Sequence, residues 1–157
     1  MNEPQPPIIH RATIRPEWLD RNGHFNAGYY LVVFDDAITY WHDYCGLTTA
    51  HRETHQITTF SVESHILYLR ELREGDEVEI TGQLLDFSDS KIHSFLRMFH
   101  SREGYLASTN EVMTLHIDLG TRRPGPTHAD IQARLSEVRA AQHVGMAFRS
   151  CIHQSPV

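Results

Sequence analysis

Cysteine is scarce in this chain. Cys45 and Cys151 are the only two in 157 residues, they lie far apart, and neither sits in a paired-ligand spacing. That argues against a disulfide framework or a cysteine zinc site and suits a reducing compartment. Basic residues are also outnumbered. Fourteen Lys and Arg against 20 Asp and Glu give a formal net charge of −6, the wrong sign for a nucleic-acid-binding face. Long apolar runs are missing: the longest, residues 27–34, contains Gly28 and stops at Asp35 and Asp36, well short of the ~20 residues that span a bilayer. No membrane partner is expected. The opening Met1-Asn2-Glu3-Pro4-Gln5-Pro6-Pro7 has neither the basic start nor the apolar core of a signal peptide, so the expected location is the cytoplasm. There is no Gly-x-Ser-x-Gly elbow, which argues against an α/β-hydrolase, and no Gly-rich phosphate loop or dinucleotide fingerprint. Ser88-Asp-Ser90-Lys91 satisfies Ser-x-x-Lys but falls in a turn-rich stretch with no companion motif. Histidine is plentiful, at 12. His51-Arg-Glu53-Thr-His55 lacks the glutamate directly after the first histidine that a zincin needs, and it reads as a solvated loop after Gly46. Neither metal nor cofactor is expected.

What remains is one ordinary domain of 40% hydrophobic and 22% charged residues. At this size a chain buries roughly 68–70% of its unfolded surface and needs no staple. Residues 8–14, between Pro7 and Pro16, read as a short strand. From about Asn26 to Cys45 the apolar residues Tyr30, Val33, Phe34, Ala37, Ile38, Trp41 and Tyr44 recur at helical spacing. Asn26 is placed as N-cap and Gly46 as the stop. After a polar loop over 48–56 the period changes to two. Phe60, Val62, Ser64, Ile66 and Tyr68 share one predicted face, with Ser61, Glu63 and His65 on the other. Further strands are predicted over 78–84, 92–100 and 105–119, separated by turn residues, which makes an antiparallel series. Residues 127–142 read as a second helix, appended to the sheet. The fold class is α+β: a long central helix wrapped by an antiparallel sheet of about five strands. The expected division is a disordered tail over 1–7, the main domain over 8–120, a linker and C-terminal helix over 121–142, and a tail over 143–157.

The densest polar cluster, Trp18-Leu19-Asp20-Arg21-Asn22-Gly23-His24-Phe25-Asn26, sits just before the long helix. A helix N-terminus carries unpaired N–H groups and partial positive charge, which suit an oxygen gaining charge in a transition state. A carboxylate in the same loop is placed to attack that carbonyl or activate water. On composition alone, Asp20, Asn22 and Asn26 also fit plain turn and cap roles.

Asp20-x-Asn22-Gly23-His24-x-Asn26-x-x-Tyr29-Tyr30 resembles the signature of hot-dog-fold acyl-CoA thioesterases of the 4-hydroxybenzoyl-CoA thioesterase type. Glu63-Ser-His65-Ile-x-Tyr68-Leu69 followed by Gly75-Asp76 is similar to that family's strand pair after the helix. The resemblance runs from about residue 8 to 119 and is strongest to the betainyl-CoA thioesterases linked to carnitine degradation. It implies a hot-dog fold and hydrolysis of a small acyl-CoA thioester, betainyl-CoA among the candidates. It also implies Asp20 as catalytic carboxylate, Glu63 as a second candidate and His24 as a third. Asn22 and Asn26 would shape the loop or orient water. Trp18 and Tyr30 belong to an aromatic group whose faces suit an aromatic or quaternary ammonium acyl group.

Hot-dog proteins usually pair their sheets, so a homodimer or homotetramer is expected, with 92–100 or 105–119 as the edge to be covered. Asp20 and Glu63 would then meet across subunits. Two alternatives remain. An enoyl-CoA hydratase or dehydratase of the same fold would carry Asp-x-Asn-Pro-x-His, whereas here Gly23 replaces the proline and His24 follows Asp20 by four. A non-catalytic acyl-CoA binding module would not need Asp20.

Overall fold

The computed structural model describes residues 6–142. The expected tail over 143–157, residues 1–5 of the tail over 1–7, and Cys151 lie outside the described residues. Strand β1, Ile8–Thr13, is followed by a short 3-10 turn at Pro16–Trp18, then helix α1, Ala27–Tyr44, and a short helix α2, Thr49–His55. Strands β2 Ile57–Tyr68, β3 Glu77–Phe87, β4 Lys91–His100 and β5 Leu106–Asp118 follow, then a two-residue β6, Arg123–Pro124, and helix α3, Ala129–Gln142.

Helix α1 begins and ends where its caps dictate. The Asn26 side chain accepts from the Gly28 N–H at 2.9 Å, and Gly46 takes φ +92 just past the C-terminus. Its stripe of Val33, Phe34, Ala37, Ile38 and Trp41 is buried against the curved sheet. At Gly82 in β3 the helix lies so near that an added Cβ would run into the Trp41 ring. The indole Nε1–H donates to Ser94 Oγ at 2.8 Å, so glycine on one strand and serine on the next together seat the helix.

The sheet order is β1-β3-β4-β5-β2, with β6 pairing β5 and every pairing antiparallel. Four sequence expectations change. The stretch over 48–56 is not a loop, because Thr48 Oγ1 accepts from the His51 N–H at 3.3 Å and nucleates α2, which ends at Gln56 in the left-handed region, φ 53. The strands over 92–100 and 105–119 are interior, and the edges are β1 and β2. The single predicted face of β2 is also broken. The register skips between Ser61 and Glu63, so Val62 is a bulge residue. Phe60 pairs with Leu115, Glu63 with Met113 and His65 with Glu111, whereas Ser64 pairs with the core residue Val112. Directly paired residues share a face, so Phe60, Glu63 and His65 lie on the outer face and Ser64, Ile66 and Tyr68 on the inner one. Finally, α3 is no appendage: Ile131, Leu135 and Val138 join the same buried cluster as Trp41 and Cys45. Its Gln142 side chain bonds Leu84 N and Gly82 O on the part of β3 that β1 does not reach.

Candidate active site

The loop ahead of α1 is a tight turn. Leu19 and Phe25 form an antiparallel bridge, the Asp20 N–H donates to His24 O at 2.8 Å, and the Gly23 N–H donates to Asp20 O at 3.0 Å. The turn needs φ +76 at Gly23, which glycine adopts without steric cost. Inside it, Asp20 Oδ1 accepts from the Asn22 N–H at 2.8 Å and the His24 N–H at 3.1 Å. These donors, His24 first and Asn22 second, hold the Asp20 carboxyl below the usual carboxylate range. Asp20 is therefore an anion with one oxygen oriented by backbone, while Oδ2 takes neither bond.

The turn holds Asp20 across from His24, two residue steps along the hairpin from the point where Trp18 O meets the N–H of Asn26, the N-cap of α1. Of the N–H groups of residues 25–28, Phe25 donates to Leu72 O, Asn26 to Trp18 O and Gly28 to the Asn26 side chain. Among the described residues that leaves Ala27 as the unengaged donor of the four, a narrower set than the sequence suggests. Asn26 is the cap itself, and Asn22 is an exposed turn residue.

His24 faces away from the turn, with Nε2 3.0 Å from Glu71 Oε2. Glu71 also receives a 2.6 Å bond from Arg73 Nη2, the main cause of its lowered pKa. The Tyr105 hydroxyl donates to Glu71 O at 3.0 Å, and the Arg70 guanidinium lies 3.8 Å over the Tyr105 ring.

A run of aromatic rings lines the helix entry. Trp18 stacks on Tyr29 with centroids 5.9 Å apart, Phe25 packs on Tyr30 at 4.2 Å, and Tyr30 meets Tyr68 edge-on at 5.1 Å. The Tyr68 hydroxyl donates to Ala27 O at 3.3 Å, which joins the end of β2 to the start of α1. Burial, then Tyr105 and Tyr68, pushes the Tyr30 phenol up to about 12, so Tyr30 stays a neutral phenol. Tyr68, in contrast, is 54% exposed.

Trp18, Asp20, Asn22, His24, Asn26 and Tyr30 are thus gathered around one turn and one helix end. Glu63 is not with them in the same chain. It precedes Tyr68 by five strand positions, about 16 Å at ~3.3 Å per residue, and lies on the outer face. The sequence reading missed Glu71 and Tyr105, which reach the turn only through long-range packing. The one local signal for Glu71 is the charged stretch ahead of Gly75-Asp76. Tyr68 stood in the strand motif, but nothing local showed that its ring ends at Ala27.

Comparison with known proteins decides the family. Residues 14–135 match the model of the thioesterase-like superfamily. The chain belongs to that superfamily. It is 30% identical over 132 residues to the betainyl-CoA thioesterase of Pseudomonas aeruginosa, covering 84% of this chain and 83% of that one. It is 28% identical over 144 residues to an L-carnitine dehydrogenase/betainyl-CoA thioesterase of Ruegeria pomeroyi, of which it covers 29%. Among solved structures, a hypothetical protein of Staphylococcus aureus in complex with CoA superposes with TM-score 0.85 at 28% identity, covering 100% of this chain and 99% of that one. A DHNA-CoA thioesterase of Staphylococcus aureus matches in fold with TM-score 0.77 at 19% identity, covering 88% of this chain and 95% of that one. This thioesterase has the hot-dog fold, and its reaction is thioester hydrolysis.

Proposed function

We propose that the protein hydrolyses a small acyl-CoA, with betainyl-CoA the leading candidate, and that the turn at Asp20 is where it does so. The observation that carries this reading is the Asp20 carboxylate, ionised and fixed by two backbone N–H groups on the turn that leads into α1. A thioester carbonyl seated against the Ala27 N–H gains polarisation from that donor and from the helix N-terminus. Asp20 then attacks the carbonyl carbon or takes a proton from an attacking water. The tetrahedral intermediate collapses by breaking the C–S bond, and CoA leaves as thiolate; where Asp20 is the nucleophile, water then hydrolyses the acyl–Asp20 anhydride, which releases the acid and restores the carboxylate. Because the thiolate leaves readily, no strong leaving-group acid is required. His24 and Asn22 hold the turn in shape through their N–H groups, and Asn26 holds the helix end.

The acyl preference follows from the walls. The exposed Tyr68 ring, set edge-on to Tyr30 at the helix entry, is open to a quaternary ammonium, whereas Trp18 already carries the Arg15 guanidinium 4.8 Å over its ring and stacks on Tyr29. The 30% identity to the Pseudomonas aeruginosa enzyme points the same way. We place the catalytic domain at residues 8–120 and the protein in the cytoplasm.

The strand β2 supports a homodimer, itself able to build a tetramer. It is a 12-residue edge strand on which Phe60, Val62, Leu67 and Tyr68 are exposed, the kind of edge that pairs with another chain. Pairing there also offers Glu63 a route to a partner's turn. Light scattering on Val62→Lys is expected to shift the species toward 18.1 kDa, and an unchanged mass would remove β2 from the interface.

The reading is tested by following CoA thiol release from betainyl-, aromatic and medium-chain aliphatic acyl-CoAs. Hydrolysis should be fastest for the cationic acyl group. No release from any of them would sink the reading, and preference for a neutral aromatic would correct the substrate.

A further inference from the structure

At the opposite end of the molecule, four histidines come together from three stretches of chain. Helix α2 sets His51 and His55 one turn apart with ring centroids 4.4 Å from each other. His128, just ahead of α3, brings its ring to 3.8 Å from His55 and 5.7 Å from His51. His116 of β5 lies within electrostatic reach of His51 and His128.

Two of these rings are held in a defined way. His116 Nδ1 is 3.0 Å from Gly125 O. A carbonyl only accepts, so Nδ1 carries the proton and Nε2 presents a bare lone pair. His51 Nδ1 faces the Asp130 carboxylate at 3.5 Å, which favours a proton on Nδ1. Both Nε2 atoms are buried without a hydrogen-bond partner among the described residues, an arrangement that costs free energy unless something takes the lone pairs. An imidazole whose far N–H is held by a backbone carbonyl or a carboxylate is the usual orientation of a metal-ligating histidine.

We propose that His51, His55, His116 and His128 bind one borderline-soft divalent cation, for which zinc is the best match, and that this ion ties α2 to β5 and to the entry of α3. Imidazole nitrogen suits zinc, and four such donors satisfy its tetrahedral preference. Ring centroids around a shared tetrahedral ion stand about 5 Å apart given Zn–N distances of ~2.0–2.1 Å, close to the separations of His51 from its two neighbours. As the side chains stand, no group of three His, Cys, Asp or Glu among the described residues is set to hold a metal. Closure therefore requires the two less buried rings, His55 and His128, to turn about χ1 and χ2 while His51 and His116 stay fixed. The site follows the C-terminal end of α1, an 18-residue helix that is ~27 Å long, so the ion is structural and separate from Asp20.

The test uses the full-length protein stripped with EDTA and titrated with Co²⁺, then Zn²⁺. One Co²⁺ per chain should bind with the visible bands of a tetrahedral nitrogen site, Zn²⁺ should displace it, and Zn²⁺ should raise Tm. His51→Gln and His116→Gln should each weaken binding at least tenfold, and His10→Gln should leave it unchanged. If the buried variants fail to fold, His55→Gln and His128→Gln carry the same expectation from more accessible positions. No stoichiometric Co²⁺ uptake, or folded variants that bind as tightly as wild type, would overturn the site. Thioester hydrolysis by the stripped enzyme at 25 °C should stay within twofold. Its loss on stripping would overturn the structural role, whereas an enzyme inactive with and without metal would count only against the proposed substrate.

Discussion

At the N-terminal end of α1 the polar groups face outward and are held by backbone. Asp20 is oriented by two N–H groups, Asn26 caps Gly28, and His24 meets Glu71 at the surface. At the C-terminal end they are buried and held by side chains. His42 is lowered to about 3 by burial and by Arg52, its Nδ1 lies 3.3 Å from Thr59 Oγ1, and its Nε2 has no partner among the described residues. The difference lies in what each end can do with charge. An exposed carboxylate on a fixed turn stays charged at little cost and remains open to a reactant. A buried imidazole is forced neutral, and its lone pairs serve packing or an ion. The same helix thus separates a region suited to chemistry from one suited to cohesion, and substitutions can test that separation from each side.

The largest expected effect is on the chemical side. Asp20→Asn keeps the oxygen that accepts from Asn22 and His24 but removes the charge, so the turn should survive. Loss of a positioned base removes ~10²–10⁴-fold in rate, expected here in kcat with KM nearly unchanged and Tm within a degree or two. Glu63→Gln, measured alongside, should stay within a few-fold. The reverse result would move the chemistry to the strand glutamate.

The turn and the helix were legible in the sequence because they are local. Asn26 as cap, Gly46 as stop and the spacing from Tyr30 to Trp41 each depend on residues within a few positions of one another, and so does the Asp20-to-Gly23 turn. The bulge at Val62 was not legible, because it exists only in the register of β2 against β5, some 50 residues away. Nor were the sheet edges, since pairing order is a property of the whole chain. Helix α2 was missed for another reason. Its seven residues bury none of their number, so it shows no apolar stripe, and only Thr48 and Gln56 mark its ends. On the site, Glu71 and Tyr68 escaped because they meet the turn through tertiary packing alone.

A second effect, smaller per group, comes from the buried end. Between the ordinary histidine value of 6.5 and the folded value of about 3 for His42, the unfolded chain binds a proton that the folded chain refuses. Stability therefore falls as pH falls through that window, by about 1.4 kcal/mol per pH unit for each such group. His51 and His116, also lowered by burial, add to the slope over a narrower range. Urea unfolding of the EDTA-treated protein at pH 7 and pH 5.5 should show the loss, and His42→Gln should flatten the mean slope over that interval by about 0.6 proton. Over the same interval kcat at saturating substrate should hold steady, because the Asp20 carboxyl lies below the ordinary carboxylate range. An activity that fell in step with stability would erase the contrast between the two ends.

The smallest effect concerns the one residue that belongs to cohesion and chemistry at once. Asn26 caps α1 through its side chain and bonds Trp18 O through its N–H, so Asn26→Ala removes the cap and leaves the backbone bond. Losing such a cap costs typically ~1 kcal/mol, read as a drop in the urea midpoint. The same change frees the Gly28 N–H, adding a donor beside Ala27. If the thioester carbonyl is polarised there, the added donor offsets part of the disorder brought by a frayed helix end, and kcat should fall only a few-fold. Asn26→Asp separates the two roles. An aspartate caps as well as asparagine but sets a second negative charge where the intermediate's oxygen gains its own. Stability should therefore match wild type while kcat falls further than in Asn26→Ala. Equal rates in the two variants would show that the carbonyl does not sit at the start of α1.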